Sequence, residues 1–184
     1  MPATTVRSAC PAALTSAVRA AVQAGGPAPD VSGRVAAALQ SQLPSPAQLL
    51  TSTQLEGDPA KYQTHRVHVE PDGSFSIAVM VWRPGQITPV HDHVSWCVTG
   101  VLQGIEYEEI FTLGPGHRSL VTMTRRENQP GTVAGFAPPG DIHRVRNCGD
   151  RIAVSMHVYG ADLARLGSSI RRVYELPVEV PAPR

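Results

Sequence analysis

From Ala12 to Ala24, apolar positions recur on a helical period among strong helix formers, and the texture returns from Val31 to Leu43 after the breaker Gly25-Gly26-Pro27. Two amphipathic helices are predicted, with Asp30 capping the second. The stretch Pro44 to Thr53 reads equally as a short helix or a loop around Leu49, Leu50 and Leu55. From Thr64 the period changes. Short runs rich in Val, Ile, Phe and Thr alternate with the turn sequences Pro71-Asp72-Gly73, Arg83-Pro84-Gly85, Gly114-Pro115-Gly116 and Pro138-Pro139-Gly140, the rhythm of an antiparallel all-β unit. Closing such strands into a barrel or jelly roll removes open edges and leaves an interior where alternate side chains converge. The last strand is expected from Ala153 to Tyr159, followed by a weakly helical or irregular segment from Ala161 to Tyr174 and an extended tail. The expectation is a mainly β, single-domain protein. Residues 1–60 form a helical segment packed on the barrel, residues 61–176 the barrel, and residues 177–184 the tail.

A chain of 184 residues has enough interior to bury a pocket without disulfides. Lys and Arg total 16 against 15 Asp and Glu, so no net field steers nucleic acid or an anionic membrane towards it, and both partners are disfavoured. Apolar runs fall short of a membrane span, and the Ala-rich start lacks a basic leader. A cytoplasmic protein is expected, as a monomer or small homo-oligomer. The three cysteines, Cys10, Cys97 and Cys148, suit neither a disulfide framework nor a Cys-rich zinc site.

His91 and His93 lie two apart in a strand-like run, which turns both imidazoles to one face. His143, after the Pro-Pro-Gly-Asp turn, begins another strand that barrel closure would bring opposite them. Ser155, His157 and Tyr159 repeat the same period and would set hydroxyl, imidazole and phenol in a row, either as a hydrogen-bonded relay or as the polar face of an amphipathic strand. Glu106, Glu108 and Glu109 read as the exposed acidic face of a strand rather than as a carboxylate ligand. His65, His68 and His117 fit no ligand spacing. Trp82 and Trp96 read as barrel packing, with Trp96 near enough to the histidines to line a pocket.

These positions resemble the two motifs of the cupin superfamily. Gly85, His91, His93 and Gly104 stand at the spacings of the first, with Cys97 in place of its glutamate, and Pro138, Gly140, His143 and Asn147 match the second. Without that glutamate, three neutral imidazoles leave a divalent cation its full charge and open positions, which suits an anionic substrate such as a thiolate. Three histidines with Cys at the glutamate position, together with Ser95-Trp96-Cys97, Gly100-Val-Leu-Gln-Gly104 and Ser155-Met-His-Val-Tyr-Gly160, resemble the cysteine dioxygenase family from about Tyr62 to Tyr174. His157-Val-Tyr159-Gly160 places it nearer the bacterial branch.

The resemblance implies a cupin-type antiparallel β-barrel holding Fe(2+) on His91, His93 and His143. It implies a small thiol, such as cysteine or 3-mercaptopropionate, and O2 as substrates, and a sulfinic acid as product. It places Ser155, His157 and Tyr159 beside the iron and Arg66 on the substrate carboxylate, a solvated strand-edge charge being the other reading of Arg66. Bacterial mercaptopropionate dioxygenases use an arginine after the Tyr strand instead. Ser168 falls near that position here, flanked by Arg165, Arg171 and Arg172. In the animal enzymes the cysteine matching Cys97 forms a thioether with the tyrosine matching Tyr159; the other reading of Cys97 is a buried inert thiol. The rival functions are another metal-dependent cupin enzyme, an isomerase or a carbon-substrate dioxygenase, and a non-catalytic ligand-binding cupin.

Overall fold

The computed structural model describes residues 10–179, so the start of the expected helical segment and the end of the tail lie outside the described residues. Helices α1 (Ala12–Gln23) and α2 (Ala28–Gln40) occupy the two predicted helical stretches. The second begins earlier than expected. Pro27, with its φ of −59°, precedes the first helical residue, and Asp30 lies in the first turn instead of capping it. A carboxylate there still meets the positive end of the helix dipole. The ambiguous stretch resolves into two single turns, α3 (Pro46–Leu49) and α4 (Ser52–Leu55). The backbone N–H groups of Ser45 and Thr51 donate to the side-chain carbonyls of Gln48 and Gln54 at 2.8 and 2.9 Å, a reciprocal cap that Ser/Thr-x-x-Gln encodes.

Eleven strands follow: β1 (Gln63–Val69), β2 (Ser76–Trp82), β3 (His91–His93), β4 (Cys97–Gln103), β5 (Glu106–Leu113), β6 (Leu120–Asn128), β7 (Val133–Phe136), β8 (His143–Arg146), β9 (Ala153–Tyr159), then, after the short helix α5 (Leu163–Leu166), β10 (Ile170–Val173) and β11 (Val178–Glu179). They form a five-stranded sheet in the order β1-β2-β9-β4-β7 and a six-stranded sheet in the order β10-β3-β8-β5-β6-β11. Among the described residues, only β11 runs parallel to its neighbour. The fold is the mainly β, cupin-type barrel with N-terminal helices that the sequence predicts.

Strands β2 and β9 are buried along their whole length because each of their faces has a separate cover. Outward-facing Ile77, Val79 and Val81 of β2, with Val154, Met156 and Val158 of β9, pack against Leu14 and Val18 of α1 and Val31, Val35 and Leu39 of α2. Their alternate residues face the barrel interior, where Ala78, Met80 and Trp82 stand beside Ser155, His157 and Tyr159. A strand covered on one side by helices and lining a cavity on the other has no face left for water.

The segment after Tyr159, expected to be weakly helical or irregular, contains the short helix α5 and also a strand. β10 pairs with β3, setting Ile170 opposite His93 and Val173 opposite His91. Arg171 and the Tyr174 hydroxyl both bind buried Asp92, which fastens this edge strand to the strand carrying two histidines. Charged Arg171 and Arg172 interrupt the apolar alternation that marks a strand in sequence.

Candidate metal centre

His91 and His93 lie on β3, and antiparallel pairing with β8 puts His143 directly opposite His91. Gly140, at φ 105°, makes the turn into that second strand. The three imidazoles are buried, and one ligand nitrogen from each lies within 4.8 Å of the others. Their ring centres are 4.8, 4.8 and 5.1 Å apart.

Each ring has its Nδ1 engaged. His91 Nδ1 lies 2.9 Å from the Pro89 carbonyl, His93 Nδ1 3.1 Å from Asp141 Oδ2, and His143 Nδ1 2.7 Å from Glu108 Oε1. A carbonyl or carboxylate accepts only, so these contacts assign the ring proton to Nδ1 and leave the Nε2 lone pair free. Burial and the nearby His143 push the His91 pKa down to about 3, and burial lowers that of His93, so both are neutral donors at neutral pH. Asp141 and Glu108 stay ionised although burial opposes it, because the bonds from His93 and His143 hold their pKa values below the usual range. Three neutral nitrogens backed by two carboxylates and a carbonyl fit a divalent cation. Glu108 stands behind His143 and outside the ligand set, which contains no carboxylate.

The histidines open on a cavity of about 330 Å³. Tyr62, Met80, Trp82, Leu163 and Ile170 give it an apolar side, with the Tyr62 and Trp82 rings 4.6 Å apart. Arg66 is the one cationic residue among the described residues that line it. It lies opposite Ala78, which in turn lies opposite His157, so a single small residue separates the guanidinium strand from the imidazole strand. One guanidinium N–H donates to the Leu163 carbonyl at 3.0 Å. Arg165, Arg171 and Arg172 do not line the cavity: Arg171 is held by Asp92, and Arg172 lies over the Tyr174 ring at 4.6 Å.

Ser155, His157 and Tyr159 form a connected row inside the barrel. Ser155 Oγ is 2.9 Å from His157 Nε2, and the Tyr159 hydroxyl is 3.2 Å from His157 Nδ1. Burial pushes the His157 pKa down to about 3 and raises that of Tyr159 well above its usual value. Tyr159 faces His93 with ring centres 6.1 Å apart and is the cross-strand partner of Cys97. Cys97 is fully buried, and burial and the Glu108 charge raise its thiol pKa.

A family model described as cysteine dioxygenase type I matches residues 30–168. The chain belongs to that family. The match begins in α2, earlier than the motifs alone suggest, and ends before Tyr174. Among solved structures, the chain is similar to TT1209 from Thermus thermophilus, with 24% identity over 61% of this chain and 96% of that one at a TM-score of 0.45. It is similar to a Cupin 2 conserved barrel domain protein from Salinispora arenicola CNS-205, with 22% identity over 64% and 89% at 0.44. An oxalate oxidase in complex with the substrate analogue glycolate matches with 18% identity over 66% and 63% at 0.47.

Two expectations for this member of the cysteine dioxygenase family need correction. Glu106, Glu108 and Glu109 are buried, not an exposed acidic face. Glu108 serves His143, and Glu109 on the other face is covered by Arg125 and Arg144, at 3.2 and 2.8 Å. Glu106 lies inside the barrel beside Ser155 and Trp82. Trp82, read as packing, lines the cavity, whereas Trp96 packs as expected, in the core under the helices and against Gly160, where any Cβ would collide with its indole, and does not reach the cavity. The carboxylates behind the histidines escaped the sequence reading. Their signal was Asp141 two residues before His143, and an acidic run at strand period on the strand next to it.

Proposed function

We propose that the protein is a thiol dioxygenase that holds Fe(2+) on His91, His93 and His143 and converts a small carboxylate-bearing thiol and O2 to the sulfinic acid. The observation that carries this reading is the all-imidazole donor set at the floor of a cavity whose one cation is Arg66. Ferrous iron, when bound, supplies the redox chemistry that O2 requires and an undiminished positive charge that favours thiolate over thiol. The protein's part is positional. Arg66 keeps guanidinium N–H groups beyond the one given to Leu163, and these grip a carboxylate with parallel bonds. The apolar wall of Tyr62, Met80 and Trp82 excludes water from the carbon chain. Tyr159, held by His157, offers a hydroxyl to charge developing on sulfur or oxygen. Both atoms of O2 end on sulfur, so RSH and O2 give the sulfinate and one proton.

The close pairing of Cys97 with Tyr159 supports a thioether between them, which leaves the linked peptides two hydrogens lighter in a mass spectrum. The test of function is oxygen uptake by the iron-loaded protein against a panel of thiols with and without a carboxylate. We expect one sulfinate per O2 consumed with a carboxylate thiol. Arg66→Ala should raise KM about tenfold or more for the carboxylate thiols alone. Absence of sulfinate from every thiol in the panel overturns the reading.

A further inference from the structure

Glu106 is 3% exposed, and its side chain is not among the groups that hold the three histidines. Its Oε1 is buried with no hydrogen-bond partner among the described residues. It lies beside the Ser155 hydroxyl and the Trp82 indole, and Ser155 is the first member of the row that ends at Tyr159. We infer that Glu106 is the buried terminus of a proton chain through Ser155 and His157 to Tyr159, and that its protonation state sets whether Tyr159 accepts or donates a hydrogen bond in the cavity. This rests on the thiol dioxygenase reading only for the identity of the molecule that supplies the proton.

The donor and acceptor inventory allows two closed arrangements. With Glu106 ionised, the Ser155 O–H donates to the carboxylate, His157 Nε2–H donates to Ser155 Oγ, and Tyr159 O–H donates to His157 Nδ1. Tyr159 then turns only lone pairs to the cavity, where the Ser169 hydroxyl and the Cys97 thiol also reach it. With Glu106 protonated, its O–H donates to Ser155 Oγ, the Ser155 O–H to Nε2, and Nδ1–H to the Tyr159 oxygen, which frees the phenolic O–H to donate into the cavity. Trp82 Nε1–H, 3.2 Å from Ser155 Oγ, fills the second lone pair of that oxygen in both arrangements. Passing from the first to the second takes up one proton at Tyr159, moves three along existing bonds and leaves one at Glu106. No group acquires a net charge except the carboxylate that loses its own.

A small thiol has a pKa near 8.5 and arrives mostly protonated at neutral pH, so binding as thiolate must release a proton in the cavity. Delivering it to Glu106 converts Tyr159 into a donor at the moment the anion forms. The carboxyl is poised for this exchange: burial raises its pKa, the Ser155 bond lowers it and the Glu108 charge raises it, to about 7. Of the elements around it, β5 contributes Glu108, while β9, β2 and cross-strand β6 present the neutral groups Ser155, Trp82 and Asn128.

The test has two arms. In infrared difference spectra of the protein without thiol, the carbonyl band of a protonated carboxylic acid should titrate near pH 7, vanish in Glu106→Gln, and shift its midpoint in Ser155→Ala. In the second arm, kcat/KM of the iron-loaded enzyme should fall on the acid side of that midpoint. In Glu106→Gln that limb should disappear, with kcat about ten- to a hundredfold lower and KM and iron content unchanged. Glu106→Asp should restore a displaced limb. The inference is overturned if no carboxylic acid titrates between about pH 5 and pH 9, if Ser155→Ala leaves the midpoint in place, or if Glu106→Gln keeps the wild-type pH profile. Should Glu106→Gln not fold, the Ser155→Ala midpoint decides. Failure to oxygenate any thiol removes the second arm and the functional reading with it, while the infrared arm still decides the chain.

Discussion

An imidazole binds a metal through whichever nitrogen its other hydrogen bond leaves free, so the acceptors behind the three histidines matter as much as the rings. His143 has the shortest of these contacts, to a carboxylate that is itself buried. Removing it frees the ring to rotate and to take the other tautomer. Glu108→Ala should therefore weaken metal binding about ten- to a hundredfold, read by competition with a chelator, with His91 and His93 still in place. Unchanged affinity would mean that the barrel walls alone orient the ring. The spacing of His91, His93 and His143 made the three-histidine cluster legible in the sequence, but its supports were not. Strand period tells which residues share a face without telling which face is inside, and three acidic residues in one strand ordinarily face water. Glu106 and Glu108 face inward because imidazole and hydroxyl groups there need acceptors.

At the scale of elements, the strand that bears His157 and Tyr159 is positioned by helices on its far side. Leu39 of α2 is fully buried in the cluster that contains Val79, Val98 and Met156. Leu39→Ala should lower the stability of the protein by about 2–5 kcal/mol, measured by urea unfolding, while the metal bound per folded chain stays the same because none of the three histidines lies on the outer faces. A parallel loss of metal would show that the helices hold the ligand strands in register. The sequence was most readable where one pattern served one environment: α1 and β9 fall close to their expected limits. It was least readable at β10, an edge strand held by one ion pair and one phenol on Asp92. Those partners come from far along the chain, and local periodicity carries no record of them.

For the whole molecule, the buried titratable groups make stability depend on pH in two opposite senses. His91 and His157 have pKa values depressed from 6.5 to about 3, so in the metal-free protein unfolding lets each take up a proton below pH 6.5. Their contribution is complete above pH 6.5 and is lost as the pH falls towards 3. Glu106 is raised from 4.5 to about 7, so its folded form binds the proton that the unfolded chain releases. Its contribution is complete below pH 4.5 and is lost as the pH rises through 7. Between pH 4.5 and 6.5 the unfolded chain gains two protons at these sites and loses one, a net uptake of one. Metal-free protein should thus lose stability as the pH falls across that window, with buried His93 and His65 adding in the same sense. Glu106→Gln removes the opposing carboxyl, and its slope should be steeper than that of the wild type by about 1.4 kcal/mol per unit. Urea midpoints of the two proteins at several pH values measure both slopes, and equal slopes would show that Glu106 gains no proton on folding. Added metal that binds only the folded protein should raise both curves by about the same amount across the window without changing their slopes, because folded His91 carries no proton there with or without the cation.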